Sequence, residues 1–379
     1  MPINAGPEFA VAQKHYQEAS TDSERLAALH EMLTTIPKHK GTEKIQKEIK
    51  KKIAKLKEKL EAEKRQRKAA KGKGIEVRKE GAAQIVLVGI PSSGKSTLLS
   101  KLTNAKPKIA EYEFTTLEPE IGTLNYEGIP FQIVEVPGLI EGAAEGKGGA
   151  KPLLGILRNA DILVFVIDLS KDIKQQIDLL KKELYASKII INKKRPNIEV
   201  KGGVNGLEIQ GADLVGDEKT IKSIAQSLGI HNALIIIKER ISLAELSNAL
   251  SRSTEYKKAI FVGTKADIAE EDQINIAKQI IPDIIILRSK EDVQALEKKI
   301  FEVSGCIRVY SKPPGREAEL KEPIVVKKGS TVLDVAKEIH KDLFKNFKYA
   351  KVWGSSKFPG QRVSADYEVQ DKDIIEIHA

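Results

Sequence analysis

The chain of 379 residues holds a single cysteine, Cys306. One thiol cannot build an internal disulfide framework, which suits a reducing compartment. No apolar run approaches the ~18 residues of a membrane span. The first residues, MPINAGPEFAVAQKHY, lack the basic-then-apolar layout of a secretory signal. His39, His231, His340 and His378 are scattered without metal-ligand spacing, and no internal repeat is visible. These absences exclude a disulfide-stapled module, a helical membrane protein and a histidine-based metal centre. The expectation is a soluble cytoplasmic protein with no membrane partner.

Charge is plentiful: 31% of residues are charged and the net charge is +10. It is also localised. Between residues 38 and 80, 18 lysines and arginines face 7 acidic residues, a net of +11, so this stretch accounts for the whole excess. Lysines neutralise phosphates without reading sequence, so the stretch points to RNA and gives no DNA-specific signal. A solvated amphipathic helix pair is the plainer alternative.

Helical signals come first. In TDSERLAALHEMLTTIP, Thr21 and Glu24 have capping-box spacing and Pro37 ends the helix. In the lysine-rich stretch, Ile45, Ile49, Ile53, Leu56 and Leu60 make one apolar stripe. KGKG at 71–74 reads as a hinge. From residue 83 the pattern alternates strands with helices: QIVLVG, PFQIVEV, DILVFVIDL and AIFVGT imply a parallel sheet covered on both faces. The stretch 171–258 is too long for one crossover and reads in part as a small inserted domain. After a helix at about 290–303, strand-like pieces at 307–310, 323–327 and 373–378 flank a helix at 331–344. The expected domains are 1–80 helical, 81–305 α/β and interrupted at about 175–250, and 306–379.

The sharpest motif is GIPSSGKS at 89–96, with a strand before it and a helix after it. This spacing lets backbone N–H groups turn inward around phosphate oxygens, while the helix aims its positive end at the same point. Gly89, Pro91, Ser92, Ser93 and Gly94 form the loop, followed by Lys95, Ser96 and Thr97. Lys95 would neutralise β- and γ-phosphates, and Ser96 would ligate Mg²⁺. A second motif follows a later strand: Thr264, Lys265 and Asp267 in FVGTKADI. A carboxylate there accepts hydrogen bonds from guanine N1–H and its amine, and adenine would leave it unpaired. Ser289 and Lys290, in LRSKED, stand where a loop would back the base. Between the motifs lie AEYEFTTLEPEIGTL, with Thr115 and Thr116, and VEVPGLIEGAAEGKGG. Thr116 is placed to close over Mg²⁺ and Gly138 to contact a γ-phosphate through its backbone.

At KPKIAEYEFTTLEPEIGTL and PGLIEGAAEGKGG the chain resembles the Obg superfamily of GTPases. The lysine-rich helices and the unit from Ile307 resemble its developmentally regulated GTP-binding (DRG) branch, in an archaeal-looking form. The resemblance implies an α/β fold: a P-loop GTPase domain with a ribosomal-S5-domain-2-like α+β insert, a helical N-terminal domain and a C-terminal TGS domain of β-grasp fold. It also implies GTP and GDP as ligands with Mg²⁺, a switch associated with ribosomes or translation, and a regulatory protein partner of the kind that DRG proteins bind.

Three positions depart from the pattern. Glu135 replaces the aspartate of Asp-x-Pro-Gly, a carboxylate implied in metal binding. Leu139 follows Gly138 where a glutamine could orient water, so slow hydrolysis is expected. Ser92 replaces an asparagine found in potassium-activated relatives, which leaves K⁺ open as a second cation. Arg158 reads as an ordinary surface arginine. Two rivals stand beside a GTP switch: an ATP-preferring enzyme of the same superfamily, suggested by Thr264 in place of asparagine, and a non-enzymatic RNA-binding scaffold stabilised by nucleotide.

Overall fold

The computed structural model describes residues 7–19, 21–37, 40–70, 77–103, 108–109, 119–138, 151–251 and 253–379. The chain divides into two compact units, each built from two separate stretches: residues 1–74 with 182–256, and residues 75–181 with 257–379.

In the first unit, helices Pro7–Glu18, Asp22–Thr35 and Glu43–Ala70 run in succession. The Thr21–Glu24 capping box is formed, and the second helix stops before Pro37. Ile49, Ile53 and Leu60 are buried, with Ile45 and Leu56 packed against the same cluster. That cluster also contains Ile221, Ile224, Ile235 and Leu246 of the insert. The insert is a three-stranded sheet in the order Ile198–Lys201, Ala233–Ile237, Leu207–Gln210, with helices Glu218–Ser227 and Leu243–Leu250.

The N-terminal helices and the insert, two domains in the sequence reading, therefore share one core. The reason lies in the helix Asp22–Thr35, which buries small and polar residues besides its leucines. Thr21 Oγ1 donates to Asn248 Oδ1 at 2.7 Å, Ser247 Oγ donates to the Ser23 carbonyl at 2.7 Å, and His30 Nε2 lies 2.8 Å from Ser227 Oγ. Such residues look solvated in a sequence because only their partners, some 200 positions away, bury them.

His30 gives this unit a pH signature. Burial, helped by Lys57, pulls its pKa down to about 4. The unfolded chain takes up a proton near pH 6.5, whereas the folded one resists until pH 4. Stability is therefore lost as pH falls through that window, by about 1.4 kcal/mol per pH unit for one proton. Denaturation at pH 5 should show about 2 kcal/mol less stability from this group than at pH 7. His30→Asn should flatten the slope; an unchanged slope would remove His30 as its source.

In the second unit, a sheet runs in the order Ile285–Ile286, Glu255–Thr264, Ile162–Asp168, Gln84–Val88, Ile129–Glu135, Glu120–Tyr126, Lys108–Ile109. The first five strands are parallel, and the last two pair antiparallel. Gln84–Val88 and Ile162–Asp168 are buried throughout, which explains their unbroken apolar runs.

The C-terminal part of this unit is a five-stranded sheet in the order Ile324–Lys327, Cys306–Ser311, Asp373–His378, Tyr349–Trp353, Gln361–Val363. It grips a helix, as the β-grasp expectation requires. Thr331 caps that helix, Val332–Ile339, which buries Val332, Val335 and Ala336. Extended backbone at His340 separates it from a second short helix, Lys341–Lys345, so the single helix expected at 331–344 is two. Arg308 ties this part to the tip of the Glu120–Glu135 hairpin. Its guanidinium holds Asp371 at 2.6 Å, pairs with Glu127, and lies over the Phe301 ring, which stacks on Tyr126.

Candidate nucleotide site

The buried strand Gln84–Val88 delivers the chain into the loop 89–94, and the helix Lys95–Leu102 leaves it. The loop is tight. A Cβ on Gly89 would lie 2.5 Å from the Val166 carbonyl oxygen and 2.6 Å from Ser93 Oγ. Ser92 turns through φ 61°, the left-handed region. A Cβ on Gly138 would lie 2.5 Å from the Pro91 nitrogen, so the backbone after Glu135 is pressed against the loop. Both glycines are there because only a bare backbone fits.

Lys95 is 5% exposed. Its ammonium donates to the carbonyls of Ile90 (3.0 Å) and Gly89 (3.4 Å). Burial pulls its pKa below the ordinary lysine value, and the Glu135 carboxylate pulls it back up. Ser96 Oγ donates to Glu135 Oε1 at 2.7 Å. Burial raises the Glu135 pKa, while Ser96 and Lys95 lower it. Among the described residues, two buried oxygens here have no partner: Ser93 Oγ and Glu135 Oε2. Buried polar atoms are rarely left so, and a pair of them beside a buried ammonium suits a phosphate chain with a hard divalent cation. The residues fit Mg²⁺, which Ser96 and Glu135 would hold. Thr116, the third expected ligand, and Leu139 lie outside the described residues.

Across the helix from these groups is a cleft of about 620 Å³ lined by Thr97, Thr264, Lys265, Asp267, Leu287 and Arg288 among others. Its size suits a nucleoside. Thr264 ends the strand Glu255–Thr264, and its hydroxyl lies 2.7 Å from the Ser93 carbonyl. Threonine thus links this turn to the phosphate loop. Lys265 stands at φ 58° with its ammonium 2.7 Å from Asp168 Oδ2. Ser289 caps the helix Lys290–Ser304 through a capping box with Asp292, and the two residues before it, Leu287 and Arg288, line the cleft. Asp168 is the neighbour that the sequence reading passed over. Its signal was present in FVID: an acidic residue ending an otherwise apolar buried strand needs a counter-charge.

Three family profiles tile the chain. One described as a 50S ribosome-binding GTPase matches residues 84–201, one for the C-terminal region of that domain matches 201–304, and one for a TGS domain matches 307–379. An uncharacterized GTP-binding protein of Methanocaldococcus jannaschii is 36% identical over 365 residues, covering 93% of this chain and 92% of that one. Developmentally-regulated GTP-binding protein 2 of Homo sapiens is 32% identical over 359 residues, covering 93% and 98%. A crystal structure of a GTP binding protein from Pyrococcus horikoshii OT3 aligns with a TM-score of 0.43 at 18% identity, covering 78% of this chain and 99% of that one. With identities above 30% across more than nine-tenths of these two relatives, the protein belongs to the family of developmentally regulated GTP-binding proteins, P-loop GTPases with a C-terminal TGS domain.

Proposed function

We propose that the chain hydrolyses GTP to GDP and phosphate, slowly by itself, and works as a Mg²⁺-dependent switch on the ribosome or another translation complex. The observation that carries the chemistry is the cluster at the phosphate loop: the buried Lys95 ammonium and Ser96 start one helix, and the half-buried Glu135 carboxylate at the end of a neighbouring strand accepts from Ser96, its second oxygen having no partner among the described residues. Phosphoryl transfer needs positioning and charge neutralisation more than covalent help. In this reading Lys95 exchanges its two carbonyl partners for the β- and γ-phosphate oxygens. Ser93 and the loop N–H groups hold the phosphates in register, and Gly138 offers its N–H to the γ-phosphate. Ser96 and Glu135 would hold Mg²⁺, whose charge would offset that of the phosphates. Lys265 and Asp267 grip guanine, and Thr116 closes the loaded state. Leu139 cannot orient water by hydrogen bonding, so the missing help comes from a partner.

The partner reading rests on two supports: the family description as ribosome-binding and the lysine-rich helix Glu43–Ala70. Contact with RNA through that helix weakens as salt rises. A dedicated regulatory protein of the kind implied by the DRG resemblance is a second partner, and the cytoplasm is where both would be met.

The test is turnover of GTP and ATP by the purified protein, with and without ribosomes, in potassium and in sodium buffer. GTP-selective turnover that ribosomes accelerate is the expected result. ATP preference would transfer the chain to the ATPase reading. Ribosome binding that ignores nucleotide state, with no turnover, would leave a scaffold.

A further inference from the structure

We propose that Asp168 is a positioning residue for guanine recognition: it holds the Lys265 ammonium in place, and Gln176 holds Asp168. The inference rests on the nucleotide-site reading above and assigns that site a supporting layer.

Asp168 ends the strand Ile162–Asp168 and is fully buried. A buried carboxylate must be paired and hydrogen-bonded to remain charged. One oxygen, Oδ2, lies 2.7 Å from Lys265 Nζ. The other, Oδ1, accepts from the Ser170 hydroxyl at 2.6 Å and the Ser170 N–H at 3.1 Å. Lys171 Nζ, at 3.8 Å, is too far for a direct hydrogen bond, so Lys265 is the cation that Asp168 grips. These contacts hold the Asp168 pKa below the usual carboxylate range against the opposing effect of burial.

The carboxylate is itself fixed through its backbone. Gln176, also buried, donates from Nε2 to the Asp168 carbonyl at 2.8 Å and accepts from the Asp168 N–H at 2.9 Å. One side-chain amide thus closes both backbone groups of a single residue. Asp168 also stands opposite Thr264 in the parallel pair, and the Leu169 N–H donates to the Thr264 carbonyl at 3.1 Å. The carboxylate is therefore built into the strand next to the one that carries the base turn.

Lysine has a flexible four-carbon stem, and its ammonium can point many ways. Lys265 starts from a left-handed backbone that side chains seldom adopt, and the residue lines the cleft. Anchoring its far end lays the methylenes along one wall, where the flat face of a base would rest. Among the described residues, the phosphate-binding groups are on other elements and make no hydrogen bond or ion pair to Asp168 or Gln176. Loss of the anchor should therefore weaken base recognition and leave phosphate binding alone.

The experiment measures Kd for GDP and for ADP by fluorescent-nucleotide competition in the full-length protein, wild type against Asp168→Asn, with Mg²⁺ present. Asn keeps the volume and the acceptor for Ser170 but removes the charge. GDP affinity should fall about tenfold or more while ADP affinity stays within about twofold, so that the guanine preference drops by the same factor. Gln176→Met, which keeps the length and loses both amide contacts, should move the preference in the same direction. It carries the test by itself if Asp168→Asn fails to fold. A folded variant that keeps the wild-type ratio of GDP to ADP affinity would overturn the proposal, as would an equal loss for both nucleotides. Wild type without guanine preference is a different failure, since it removes the GTP reading before any variant is compared.

Discussion

Lys95→Ala should reduce GTP turnover by about a hundred- to a thousand-fold, the scale on which one preorganised charge-stabilising group acts in a water-poor site. Lys95 is a buried ammonium held by two carbonyls, which carry partial rather than full negative charge. An incoming phosphate replaces them with an anion, which raises the lysine pKa back toward normal and strengthens the contact as charge shifts in the transition state. Alanine leaves the loop N–H groups in place, so the variant should still bind GDP, with a weaker grip. Arginine should not restore turnover, because its planar fork needs room that a side chain 5% exposed does not have. Single-turnover hydrolysis, read beside nucleotide binding, separates the two effects. Unchanged turnover in Lys95→Ala would sink the assignment of this loop as the reacting site.

Asp267→Asn should reverse base preference. Guanine presents two donors, N1–H and its amine, to a carboxylate that only accepts. An asparagine amide offers one acceptor and one donor, so its NH₂ meets the guanine amine donor to donor. Xanthine, with N1–H beside a carbonyl, matches the amide instead. Sites built around such hydrogen bonds discriminate by about 10⁴ when a partner is missing, so a loss of about a thousandfold in GDP affinity is a moderate expectation here. Competition between GDP and XDP decides it. If Asp267→Asn still prefers GDP, then the cleft beside Thr264 and Lys265 is not where the base rests.

How much of this was legible in the sequence depended on distance along the chain. The loop 89–96 and the turn 264–267 are local patterns, each complete within eight residues and placed by the strand before it. The capping box at Thr21 is local as well, and it forms. The helix Pro7–Glu18 was not anticipated; its short apolar face is completed by the next helices rather than by its own pattern. Strands Tyr349–Trp353 and Gln361–Val363 went unread because they are short and their apolar residues are interrupted by Lys351 and Arg362, which stand opposite each other on the face away from Val352 and Val363. Trp353 belongs to the first of them, with Lys312 over its ring. Asp168 was hidden differently: its meaning depends on Lys265, nearly a hundred positions later.

The shared core of the first unit has a consequence for synthesis. Leu26, Leu29, Ile49 and Ile53 leave the ribosome early, but Ile221, Ile235 and Leu246, which bury them, come nearly 200 residues later. At about 5–20 residues per second, that is a wait on the order of 10–40 seconds. Through that interval the N-terminal helices present a bare apolar stripe bordered by lysines, close to the ribosomal surface from which they emerged. The nascent chain therefore needs either a chaperone or the basic face itself to keep that stripe from the wrong neighbour. A gene lacking the first 74 codons would impose the reverse problem, leaving the insert to fold around half a core.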